Sequence, residues 1–164
     1  LNYTLSPVEL AQLMIAGKSS IAVLPEPWVS TVISKNNQVK VALDLQKEWT
    51  RLNGENVPFA QTCLVINSEF SQKHPEIVDK LLKQCAQSIA WVNKNPAQAG
   101  SLFVKHNLGI AAEVAESAVP RCNLRYIDGI EARPAVEKYL QVLLAFSPES
   151  IGGKLPDEKF YYQK

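Results

Sequence analysis

The chain has 164 residues, 46% of them hydrophobic and 20% charged, with a net charge of +1. That balance suits a globular polypeptide with a sizeable core and offers no basic stripe for nucleic acid. No apolar run approaches the roughly 18 residues that a membrane-spanning helix needs. The three cysteines (Cys63, Cys85 and Cys122) show no CxxC pairing, so metal ligation is not expected and at most one disulfide could form. His74 and His106 each stand alone at an apparent helix end, where capping or surface roles outweigh catalysis.

The first element is a helix with both ends marked. Ser6, Pro7 and Glu9 make an N-cap, a first-turn proline and a capping box, and Gly17 is a fitting stop. Residues 21–24 (IAVL) predict a short strand, closed by the turn Pro25-Glu26-Pro27 and followed by a helix through Val29, Val32 and Ile33. Alternation of Val39, Val41, Leu43 and Leu45 predicts a second strand over 39–45. Residues 46–58 are polar and irregular, with a short helix around Trp49, and TCLVIN (62–67) predicts a third strand. Helix–strand–helix–strand is the grammar of an α/β unit.

The remainder is helical in pattern. Pro75 opens a long helix carrying Ile77, Leu81, Cys85, Ile89 and Val92, with Glu76 and Asp79 near its start and Lys94 at its end. Asn95-Pro96 caps a second helix, a third spans about 111–118 before Pro120, and a fourth runs from Glu131 to Phe146. Pro134 is placed in the first turn of that fourth helix, where proline is tolerated. The tail is rich in turns and ends on Phe160, Tyr161 and Tyr162, which are expected to pack as a lock.

Catalytic signatures are missing from the text. There is no GxGxxG or GxxxxGK[ST], no GxSxG, and IGGKLP leads into proline rather than a helix N-terminus. The chain is therefore expected to be non-enzymatic and to need no cofactor or metal. Ligands in α/β lobes gather at the carboxyl ends of strands. That places Pro25, Glu26, Pro27 and Trp28 as candidate binding residues after strand 21–24, with Gln61 and Thr62 opening strand 62–67. Trp28 serves core packing in the competing reading.

Three motifs in order carry a resemblance. Helix-Gly17 followed by SSIAVLPEPW, the stretch CLVINSEFSQKHPEIVDKLLKQCAQSIAWVNKNPAQAGSLF, and the tail PESIGGKLPDEKFYY together resemble the nitrate/sulfonate/taurine and thiamine-precursor group of ABC-transporter periplasmic solute-binding proteins. The resemblance implies an α/β, two-lobed periplasmic-binding-protein-like (type II) fold, of which this sequence is similar to the helix-rich C-terminal half. It implies residues 1–58 as the later part of lobe two, 59–66 as a hinge strand, and 67–164 as the helical completion of lobe one.

The partners so implied are a small-molecule solute and ABC permease subunits, with no nucleic acid and no direct membrane span. The implied location is extracytoplasmic, with a lipid anchor or signal lying upstream of Leu1. Ser19-Ser20 departs from the pattern, since many relatives carry an acidic residue just before the lobe-two strand. Biosynthetic enzymes of the thiamine and menaquinone type, and effector domains of LysR-type regulators, are the rival functions on the same fold.

Overall fold

Ser6 starts the first helix as its side chain dictates. In the computed structural model, which describes residues 6–163, the Ser6 hydroxyl accepts the Glu9 N–H while the Glu9 carboxylate accepts the Ser6 N–H at 2.9 Å. Residues 1–5 and 164, the outer ends of the first and last regions drawn from the sequence, lie outside the described residues. The described chain is α1 (Pro7–Ile15), α2 (Trp28–Lys35), α3 (Leu45–Asn53), α4 (Ser68–Lys73), α5 (Pro75–Lys94), α6 (Pro96–Lys105), α7 (Ala112–Ala118) and α8 (Gly129–Phe146), with three short 3-10 turns.

The expected α/β class is overturned. Helix accounts for 61% and strand for none, with no sheet among the described residues. Stretches 21–24, 39–45 and 62–67, expected as strands, hold no strand among the described residues, and Asn67 instead caps α4. Apart from a Ser19 Oγ–H donated to the Ile21 carbonyl, the main chain of 20–24, 40–43 and 58–66 has neither helical nor ladder partners among the described residues. A strand is completed by a neighbouring strand, and alternation in one segment cannot supply it. Ile21 is 88% exposed and Val65 82% exposed as a result. Leu45, given to the second strand, is instead the first residue of α3, because the Asp44 carboxylate accepts the Gln46 and Lys47 N–H groups and caps a helix there.

The chain divides into two compact units, one comprising residues up to Ala42 with Gln84–Arg125, the other Leu43–Lys83 with Tyr126–Lys164. In the first, Ala11, Met14 and Val32 form a buried cluster joining α1 to α2, and Ala22, Leu24, Trp28 and Val39 pack around it. Asn36, just past α2, donates through Nδ2 to the carbonyls of Met14 and Ile15 at 3.3 and 3.4 Å, satisfying the end of α1. Helices α6 and α7 meet through small buried residues, Ala99, Gly100, Ala115 and Ala118. Gly100 has a specific reason to be glycine, since a Cβ there would lie 2.5 Å from the Ala112 carbonyl oxygen.

In the second unit, Trp49, Phe59 and Tyr139 form a half-buried aromatic cluster with centroids 5.0 to 6.0 Å apart, and Trp49 Nε1–H donates to the Val57 carbonyl. Of the tail aromatics, Tyr161 is the buried one, while Phe160 stays exposed. Arg133 of α8 lies 5.4 Å from the Tyr161 ring centroid and pairs with Glu137 and Glu158. Helix α8 begins at Gly129, two residues before its expected start, so Pro134 is an interior residue rather than a first-turn one. The long helix at Pro75–Lys94 and the helix at Pro96 stand where the pattern puts them. Asn95 holds the N-cap position without a side-chain capping bond, its Nδ2 donating back to the Trp91 carbonyl. All three cysteines are free thiols.

Candidate functional site

The Pro25–Trp28 turn is held by its own main chain before any side chain acts. The Pro25 carbonyl accepts the N–H groups of Trp28 and Val29, and the Pro27 carbonyl accepts from Thr31 N–H and Thr31 Oγ1–H. The Glu26–Pro27 peptide is cis. Proline at the N-cap of α2 brings no capping side chain. Glu26, one residue earlier, does that work: its Oε2 accepts the Ser30 N–H at 3.0 Å.

The other carboxylate oxygen faces Arg121, at the end of the 3-10 turn that follows α7. Arg121 Nε lies 2.7 Å from Glu26 Oε1. Oε1 is thus ion-paired at close range yet lacks a well-directed hydrogen bond. Burial is uneven across the pair, with the Glu26 side chain 10% exposed and that of Arg121 40% exposed. Next to Arg121, burial and then the Glu26 carboxylate push the Cys122 thiol above its ordinary value, which holds it protonated. Ser30 is buried, and its hydroxyl has no hydrogen-bond partner among the described residues.

Pro25, Glu26, Pro27 and Trp28 therefore share one turn in the first unit. Pro25 is exposed, and Trp28 is half-buried against the α1–α2 cluster. Gln61 and Thr62 belong to the second unit and are exposed, in a stretch with no strand partner among the described residues. Sequence reasoning missed Arg121. Nothing local marks an arginine 95 residues away as the partner of Glu26; the usable signal was a carboxylate in an apolar, proline-bound setting that must be paired if buried.

Chemically, the turn can present shape and a guanidinium. Its carboxylate has both oxygens engaged inside the protein. No group of three or more His, Cys, Asp or Glu residues capable of holding a metal ion occurs among the described residues. Nor is any described helix long and apolar enough to cross a membrane.

No protein-family model and no curated protein matches the chain. Among solved structures it is similar to the crystal structure of an ABC transporter from Parabacteroides distasonis, with 29% identity and a TM-score of 0.83, covering 100% of this chain and 56% of that one. The chain thus spans just over half the length of that neighbour.

Proposed function

We propose that this chain belongs to the solute-binding component of an ABC importer, of the nitrate/sulfonate/taurine and thiamine-precursor group. In this reading it captures a small molecule without chemically changing it and hands it to a membrane permease. It works outside the cytoplasm, secured by a lipid anchor or secreted by an upstream signal. The observation that carries the proposal is the likeness to an ABC transporter along the entire chain, at 29% identity and a TM-score of 0.83. Identity spread over a whole chain speaks to more than a shared backbone, although a fold by itself never fixes function. The proposed ligand contacts are Pro25, Glu26, Pro27 and Trp28 in the first unit and, taken by themselves, Gln61 and Thr62 in the second. Of these, Glu26 acts by shaping the turn, since its oxygens already serve Ser30 and Arg121.

The test is thermal denaturation of the natural full-length gene product against nitrate, aliphatic sulfonates and the pyrimidine precursor of thiamine. A ligand that binds only the native state raises the melting temperature saturably. The proposal expects such a rise for at least one solute, recovered chemically unchanged. Turnover of a bound solute would refute it, as would the absence of any shift together with no bound small molecule in native mass spectrometry.

A further inference from the structure

Two charged groups meet at the Pro25–Trp28 turn, and they are not equally open to water. Glu26 is nine-tenths buried; its Oε2 accepts the Ser30 N–H, and its Oε1, shut off from solvent, lies 2.7 Å from Arg121 Nε. That carboxylate has nothing left to offer a solute. Arg121 is the opposite case. Its side chain is 40% exposed, and its contact with Glu26 runs through Nε. A guanidinium also donates, in a planar fork, from its two terminal nitrogens. Neither of these has a hydrogen-bond partner among the described residues.

The arginine is fixed at its root as well. It ends the 3-10 turn Val119–Arg121, in which Val119 is buried, and the Cys122 N–H closes that turn on the carbonyls of Ala118 and Val119 at 3.0 and 3.2 Å. Helix α7 packs against α2, so the guanidinium and the proline turn belong to one packed unit. An arginine held by one edge loses less freedom when its other edge grips a ligand. The segment Val119–Arg125 carries a second arginine, Arg125, and no acid. With Glu26 counted, the two segments stay net positive.

We infer that Arg121 determines specificity at this turn: its terminal N–H groups grip an oxyanion on the solute, while Glu26 anchors its Nε side. The inference rests on reading the chain as a solute receptor, and it narrows the solute to one bearing a carboxylate, sulfonate or nitrate group. The planar fork matches two oxygens of such a group at once, which a single ammonium does not. A cationic solute would meet the guanidinium and find the Glu26 carboxylate already spent.

Isothermal titration calorimetry of the natural full-length gene product tests this with nitrate, ethanesulfonate and butyrate, set against the pyrimidine precursor of thiamine, which has no oxyanion. At least one oxyanion should bind. Arg121→Gln should weaken it about tenfold or more, the scale of a lost charge-assisted hydrogen bond. Glu26→Gln breaks the same ion pair but keeps the guanidinium, so its affinity should stay within about threefold of the parent. Arg121→Lys, which keeps the charge without the fork, should fall between the two, with helical circular dichroism retained in all three. Unchanged affinity in Arg121→Gln overturns the inference, as do equal losses in Arg121→Gln and Glu26→Gln, which would mark the pair as scaffolding alone. Binding of the pyrimidine alone also overturns it, while leaving the receptor reading intact. Binding of no solute, with none carried by the purified protein in native mass spectrometry, would sink that reading and the inference together.

Discussion

Replacing Arg121 with methionine removes the guanidinium but keeps much of its apolar stem. Glu26 is then left with a carboxylate nine-tenths buried and one directed donor, the Ser30 N–H. Breaking a fully buried pair costs roughly 3–5 kcal/mol, whereas exposed pairs are worth about 1 kcal/mol or less. This pair lies between those limits, because Arg121 is 40% exposed and water can reach the vacated side. About 2 kcal/mol is therefore expected for Arg121→Met, near a thirty-fold shift in the folding equilibrium. Glu26→Gln should cost less, about 1 kcal/mol, since its amide oxygen still accepts from Ser30 and the freed arginine returns to water. Neighbours in one network are not additive, so the double variant should lose roughly 1 kcal/mol less than the two single losses combined. Urea unfolding followed by helical circular dichroism at pH 7 measures all three. A loss below about 0.5 kcal/mol for Arg121→Met would mean the carboxylate is solvated and the burial argument is wrong.

Three further outcomes follow from separate features. Gly100→Ala would drive a Cβ to within 2.5 Å of the Ala112 carbonyl oxygen and should cost about 1–3 kcal/mol as overpacking; an unchanged melting temperature would contradict it. Tyr161 is buried but its hydroxyl lacks a partner among the described residues, so Tyr161→Phe should be neutral or slightly stabilising, while Tyr161→Ala loses about 3 kcal/mol; equal losses in both would reveal a bond to the hydroxyl. Hydrogen bonds from the Ser6 N–H and then the Ser6 hydroxyl hold the Glu9 carboxyl below the ordinary carboxylate value. With the folded value depressed, the contribution is present above the unfolded value and lost as pH falls through the folded one. The amide-exchange protection of Ser6 should therefore decline with acid in the parent chain, and Glu9→Gln should abolish that dependence.

The helices were largely legible because their instructions are local. Ser6, Pro7 and Glu9 sit within four residues of one another, and Pro75 opens a run whose apolar period needs no distant partner. The expected strands are not found among the described residues, since Ile21, Val41 and Val65 state a preference for extended backbone and no more. Whether that preference becomes a ladder is decided by chain elsewhere. Leu45 shows the same limit at one residue: it fits the alternation of 39–45, but Asp44 bonds forward to Gln46 and Lys47 and wins it for α3. At the candidate site the turn itself was readable from two prolines around Glu26, whereas the role of Arg121 required knowing that α7 packs against α2.

The interior proline of α8 has a consequence for how that end of the second unit comes apart. Pro134 cannot donate to the Ile130 carbonyl, so the opening turn of α8 is tied to the rest by one bond fewer than its length suggests. Arg133 stands in that turn and reaches Glu158 and the Tyr161 ring of the tail, and Gly129 lies close against the Tyr162 backbone. The start of α8 is therefore tied to tail residues 158–162 through Arg133 and Gly129, and Arg133 also ties it to Glu137 in the body of the helix. A protease that nicks the tail would, on this account, also release Arg133 from Glu158 and the Tyr161 ring, leaving it paired with Glu137 alone.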